Sequence, residues 1–343
     1  MVLSLFFFQL NYIQFFFLFF FFITADQRYE NLYRDDEVTE SNVLAKVKRK
    51  RKLVFDRSDL ETTKHMRIDK SIGCGELDGG YADLLVMIVS AVKNFDNRLA
   101  IRETWAKFAK ERGAYVYFLI GSTDERLVQT HVENEDQIYH DILQGEFFDS
   151  YHNLTLKTMS MMHWVGKRCS KIRYVMKVDD DMMINMQYVT DFSEVNPNFH
   201  KVIIGRLAKN WKPHRNKLNK WYLPYNAFND TTFPNFVTGP AYFFTGDAAQ
   251  ILYDTAINDT SPFYLEDVYM TGVVAEKAGV KRFNHGLILN THQTVTSCLF
   301  PKMMTSHNHS PQEIRRIWHD VYHVRCVKSK QVFTKSKKQS KNS

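Results

Sequence analysis

The chain has 343 residues, 44% of them hydrophobic and 24% charged, with 14 Gly, 8 Pro and 4 Cys. That composition excludes a disordered chain, a collagen-like fibre and a disulfide-dense miniprotein. The formal charge is +7, but six cations lie in the run from Lys46 to Lys52 and six more in the tail from Lys328; without those twelve the body is near −5, which excludes a broad nucleic-acid surface.

Ten of the 27 Phe fall between Phe6 and Phe22, inside an uncharged stretch from Leu5 to Ile23. Nineteen residues rising 1.5 Å each reach about 28 Å, one hydrocarbon core. The reading is an uncleaved signal anchor over residues 5–23, behind a short cytoplasmic N-terminus of residues 1–4. A cleaved signal peptide with a processing site at Thr24-Ala25 competes with it, although Ile23 sits where such sites prefer a small residue. Either version sends the chain into the secretory pathway. Sequons at Asn153, Asn229, Asn258 and Asn308 agree. So do the cysteines: Cys74, Cys169, Cys298 and Cys326 are even in number and contain no C-x-x-C pair, so two structural disulfides are expected.

Residues 24–73 are polar without sustained periodicity and read as a stem. Leu84 to Val92 is a continuous apolar run of strand length, typical of a strand buried on both faces. Arg98 to Arg112 carries Leu99, Ile101, Trp105 and Phe108 at helical spacing, and Ala114 to Ile120 is a second buried strand. Asn153 to Cys169 reads as another helix, and Arg173 to Val178 as a third strand running into Asp179-Asp180-Asp181. Strands alternating with helices predict an α/β fold with a mostly parallel central sheet, whose ligands bind at the carboxyl ends of the strands. An amphipathic helix is expected over Val268 to Ala278. Ser310-Pro311-Gln312-Glu313 is a capping box with Pro at the first helical position, so a helix starts there. The globular domain is placed at residues 74–327 and the basic tail at 328–343, a solvated flank rather than a lipid contact.

Three adjacent carboxylates repel one another, so Asp179, Asp180 and Asp181 ionised together call for a cation. Hard oxygens suit Mg²⁺ or Mn²⁺, and a diphosphate is the substrate group that most often wants such a metal. The plain alternative is a solvated acidic loop. Glu266-Asp267 opens a helix and supplies either a cap or a general base. His307, just before the capped helix, is either a surface residue or a metal ligand.

Asn97-Arg98-Leu-Ala-Ile101-Arg102-Glu-Thr104-Trp105 resembles the N-R-x-x-I-R-x-T-W block of the β-1,3-galactosyltransferase family (glycosyltransferase family 31). The match continues in order through Phe118 to Gly121, Asp141 to Thr158, Lys177 to Asp181, Phe233 to Tyr242 and Glu266 to Gly272, over about residues 74–326. The resemblance implies a GT-A fold, an α/β/α sandwich binding a nucleotide sugar, and an inverting, Mn²⁺-dependent hexosyltransferase using a UDP-sugar. Carried over, Asp181 and His307 would hold the metal, Asp179 and Asp180 would position ribose and sugar, Asp267 would be the catalytic base, and Arg102 would line the uridine-diphosphate pocket. It also implies bridges Cys74–Cys169 and Cys298–Cys326. The implied setting is a single-pass type II Golgi membrane protein with its catalytic domain in the lumen. Its partners would be the UDP-sugar, an oligosaccharide acceptor on glycoprotein or glycolipid and the membrane, with a homodimer as a further option. Galactose is the expected sugar, GlcNAc or GalNAc the alternatives; a non-catalytic chaperone or glycan binder on the same fold is the alternative of another class. The chain departs from its relatives at Phe233 and Phe236, where Tyr is usual, and at Pro240, where a small residue or Gly is usual.

Overall fold

The computed structural model describes residues 52–323 and 326, apart from 72, 76 and 196–198. The anchor segment, the N-terminal part of the stem and the basic tail lie outside the described residues. Among the described residues no helix is long and apolar enough to cross a membrane.

The expected parallel core is present. Strands β2 (Leu84–Val89), β3 (Tyr115–Ser122), β4 (Ile142–Phe148) and β5 (Tyr174–Asp179) run parallel in the order β4-β3-β2-β5. Every residue of β2 is buried, and alternation sorts its side chains between two cores. Leu85 and Met87 join the core containing Leu156, Met159 and Leu252, whereas Leu84, Val86 and Ile88 join Ile101, Trp105 and Ile314. Helices α5 (Leu154–Arg168) and α7 (Gly246–Ile257) therefore cover one face. The opposite face carries α2 (Phe95–Glu103), α3 (Trp105–Glu111) and the C-terminal helix α9 (Pro311–His323). The result is the three-layer α/β/α arrangement.

Antiparallel strands extend the sheet at both ends: β1 (Met66–Ile68) beside β4, and β8 (Phe236–Thr245) beside β5, followed by β7 (Val202–Ala208), with the short β9 (Lys281–Asn284) parallel to β7 at the edge. A short antiparallel pair, β6 (Met183–Ile184) with β10 (Thr305–Ser306), holds the segment after the Asp triplet against the segment before α9. The remaining helices are α1 (Arg57–Glu61), α4 (Arg126–Tyr139), α6 (Met186–Val195) and α8 (Ala275–Lys277).

Three expectations change. The stem does not extend to residue 73: Phe55 and Leu60 are buried in the core, Val54 bridges Phe263 and β1 pairs with β4, so the folded body already includes residues 52–71. The helix expected over Arg98 to Arg112 is two helices, broken at Thr104, whose hydroxyl donates back to the Ala100 carbonyl at 2.6 Å and competes with the backbone ladder. The helix expected from Val268 begins as a π-helix, Asp267–Val274, before one α-turn at α8. Both disulfides join the expected partners, Cys74 with Cys169 and Cys298 with Cys326.

Candidate active site

A cleft of 870 Å³ opens at the carboxyl ends of β2 and β5, bounded by β8 and the start of the π-helix. It gathers residues 179–181, Asp267 and His307, which are far apart in sequence. The Asp triplet lies there because β5 ends at Asp179, the point where the chain leaves the sheet. His307 reaches it because β10 pairs with β6, just beyond the triplet.

The three carboxylates have different surroundings. Asp179 accepts from Lys177 Nζ at 2.6 Å, while Asp180 turns inward, its Oδ2 accepting from Ser90 Oγ at 2.6 Å and Asn94 Nδ2 at 2.9 Å. Asp181 Oδ2 meets His307 Nε2 at 3.2 Å, and its Oδ1 is buried with no partner. Burial pushes the Asp179 and Asp180 carboxyls above their usual range despite these bonds. Burial opposes charge on His307, but Asp181 outweighs it and holds the imidazole above its usual range. Asp179, Asp181 and His307 place ligand atoms within 4.8 Å of one another. Two carboxylates, one of them with an orphaned buried oxygen, and one imidazole fit a hard divalent cation. Asp180, committed to the loop after β2, is the least free of the three to face a ligand.

Across the cleft, Asp267 accepts from Gly239 N at 3.1 Å and from Val268 N at 2.9 Å, and burial raises its pKa. The register of β8 against β7 shifts between Gly205 and Leu207, and Pro240, which has no N–H to give the ladder, sits in this stretch. The shift turns the Gly239 peptide toward the site, its N–H on Asp267 and its carbonyl on Lys177 Nζ at 2.7 Å. A π-turn at the same point fits a locally irregular backbone that aims a functional side chain.

Sequence reasoning gave no role to Lys177 and read Glu266 only as part of the Glu266-Asp267 pair that caps a helix or supplies a general base. Lys177 is buried and lies between Asp179, Gly239 and Glu266, the last at 4.0 Å. Its signal was a lone Lys inside the apolar strand β5. Glu266 accepts from Tyr242 Oη at 2.9 Å and Thr158 Oγ1 at 3.0 Å, and burial raises its pKa to about 7. Trp211 and Trp221 stand half exposed at the mouth together with Arg206 and Lys220.

Arg102 is not in the cleft. Its guanidinium is buried against Glu135 at 2.6 Å and Asp141 at 2.7 Å, and lies over the rings of Phe118 and Tyr139. It joins α2 to α4 and β4, and the expectation that it lines a nucleotide pocket is corrected. Phe233 and Phe236 are buried in the core rather than lining the cleft, with Phe236 packed edge-on to Trp211. Asn153 is 7% exposed and its Nδ2 donates to the Phe148 carbonyl at 2.7 Å, so its sequon is closed in the folded chain. Asn229, Asn258 and Asn308 are exposed.

A family model described as galactosyltransferase matches residues 96–285. Beta-1,3-galactosyltransferase 1 of Mus musculus and that of Homo sapiens are each 36% identical over 251 residues, covering 71% of this chain and 76% of theirs. Beta-1,3-galactosyltransferase 2 of Homo sapiens is 32% identical over 249 residues, covering 68% of this chain and 57% of its own. Among solved structures, a glycosyltransferase involved in glycosylation of the major capsid of PBCV-1 superposes with a TM-score of 0.38 at 12% identity, covering 68% of this chain and 97% of that one. Mouse xyloside xylosyltransferase 1 gives 0.34 at 13%, covering 65% and 96%.

Proposed function

The chain belongs to the galactosyltransferase family and is a glycosyltransferase, and from that premise we propose that it moves galactose from UDP-galactose to the 3-hydroxyl of an acceptor glycan, with inversion at the anomeric carbon. The observation that carries this reading is the cleft itself, which gathers Asp179, Asp181 and His307, a group able to hold a cation, with the half-buried carboxylate of Asp267. Asp179, Asp181 and His307 would hold Mn²⁺, which when bound supplies positive charge against the leaving diphosphate.

The other steps belong to the chain's own side chains. Asp267 takes the proton from the acceptor hydroxyl as that oxygen attacks from the face opposite UDP, and a single displacement inverts the anomeric carbon. The Gly239 and Val268 amides hold the Asp267 carboxylate in place, while burial raises its basicity toward the working pH. Lys177 offsets the charge of Asp179, Glu266 and Asp267, so that three acidic groups share one small volume. Asp180 fixes the loop after β2 through Ser90 and Asn94, shaping the ribose side of the cleft. The half-exposed Trp211 and Trp221 offer flat apolar faces on which the acceptor's pyranose rings stack.

A secretory, Golgi-membrane setting is part of this proposal. It is supported by two disulfides, three exposed sequons and the apolar stretch at residues 5–23. The test offers UDP-galactose, UDP-GalNAc and UDP-GlcNAc in turn to a panel of acceptors, with Mn²⁺ or with a chelator. Metal-dependent transfer of galactose with a β-1,3 product is expected. Glycan binding without turnover from any donor would place the chain among non-catalytic binders.

A further inference from the structure

Away from the cleft, three metal-ligating side chains converge where α9 begins. His292, His309 and Glu313 bring ligand atoms within 4.8 Å of one another. In two of them one polar atom is tied and the other left free. Glu313 Oε2 accepts from Ser310 N at 3.0 Å and Ser310 Oγ at 3.3 Å, closing the capping box. Its Oε1 is left 3.6 Å from His292 Nε2. His309 is 2% exposed; its Nε2 bonds Ser306 Oγ at 2.7 Å, and that oxygen also accepts the Gln293 amide at 3.0 Å. His309 Nδ1 is buried without a partner.

That division of labour is what a metal site requires. With His309 in its Nε2–H tautomer, Ser306 Oγ is the outer partner that accepts from Nε2, and the lone pair of Nδ1 is left for the ion. Two ligands on one tetrahedral Zn²⁺, with bonds of about 2.0–2.1 Å, stand about 3.4 Å apart, close to the His292–Glu313 separation. Two imidazoles and one carboxylate suit zinc, whereas the oxygen-rich cleft suits a harder ion. We propose that His292 Nε2, His309 Nδ1 and Glu313 Oε1 form a Zn²⁺ site, with water as the fourth ligand. Because the His309 amide donates to the Asp181 carbonyl at 2.9 Å, zinc here ties α9 to the segment that carries the cleft's acidic cluster.

The test uses the full chain stripped by a chelator and titrated with Zn²⁺ alone. Asp181→Ala first removes the cleft as a competing site. In that background one Zn²⁺ per chain is expected, with affinity falling at least tenfold in His292→Ala. The His292 side chain is 45% exposed, so this replacement leaves the core intact. His319 and His323 stack on the surface of α9 and are the control for adventitious binding by paired surface histidines; His319→Ala should leave the affinity unchanged. The proposal is overturned if the Asp181→Ala chain takes up no zinc, if His292→Ala binds as tightly as its parent, or if His319→Ala is the replacement that abolishes binding.

Discussion

Replacing Arg102 by Met should weaken the fold and spare the cleft. The guanidinium is buried, binds Glu135 at 2.6 Å and both Asp141 oxygens at 2.7 and 3.1 Å, and covers two aromatic rings. Removing one partner of a buried ion pair costs about 3–5 kcal/mol. Glu135 would keep Arg98 at 2.7 Å and Asp141 would keep Lys110 at 3.3 Å, so the loss should sit near the lower end, about 3 kcal/mol. For a body of this size that lowers Tm by about 6–12 °C. Calorimetric melting gives the first quantity, and titration with UDP and Mn²⁺ well below the transition gives the second. Unchanged melting with a tenfold loss of UDP affinity would refute the reasoning and return Arg102 to the nucleotide pocket.

Asp267→Asn keeps the shape and, with one acceptor oxygen in place of two, one of the two backbone contacts while removing the base, so kcat should fall about 10²–10⁴-fold with little change in UDP affinity; stopped assays on purified protein decide it. Glu266 has a folded pKa of about 7, above its ordinary value. Its contribution to stability is therefore full below about pH 4.5 and is lost as pH rises through 7. Glu266→Gln should flatten that decline in urea denaturation between pH 5 and 8, and an unchanged slope would contradict the assignment. Peptide mapping of secreted protein should find glycan at one or more of the exposed Asn229, Asn258 and Asn308 and none at Asn153, which is buried with its amide bonded inside the fold.

What could be read from sequence was what depends on local pattern. The continuous apolar runs of β2, β3 and β5 are buried on both faces, and the Ser310–Glu313 box starts α9 where its residues say it should. The Asp triplet followed a strand, so its place at the sheet's carboxyl end was legible too. Other features depend on partners distant in sequence. Residues 52–71 form a five-residue helix, a three-residue 3-10 turn and a three-residue strand, too short for any periodicity, and are held in place by Phe263 and β4. Pro240 argues against a central strand, and β8 accommodates it only because its register with β7 shifts there. A charged block gave no hint that Arg102 faces Glu135 and Asp141 rather than a nucleotide, since both acids come from elements built after it. The zinc cluster was equally hidden: His292 and Glu313 are 21 residues apart and meet only because β10 and α9 fold back together.

The central claim is that the corner formed by Asp179, Asp181 and His307 holds a divalent cation together with the donor's diphosphate. Isothermal titration of UDP into the chelator-treated chain, with and without Mn²⁺, measures it directly. The account predicts binding only with Mn²⁺ present, abolished by Asp181→Ala and retained in Asp267→Asn. Equal UDP affinity without metal, or undiminished Mn²⁺-dependent affinity in Asp181→Ala, would contradict it.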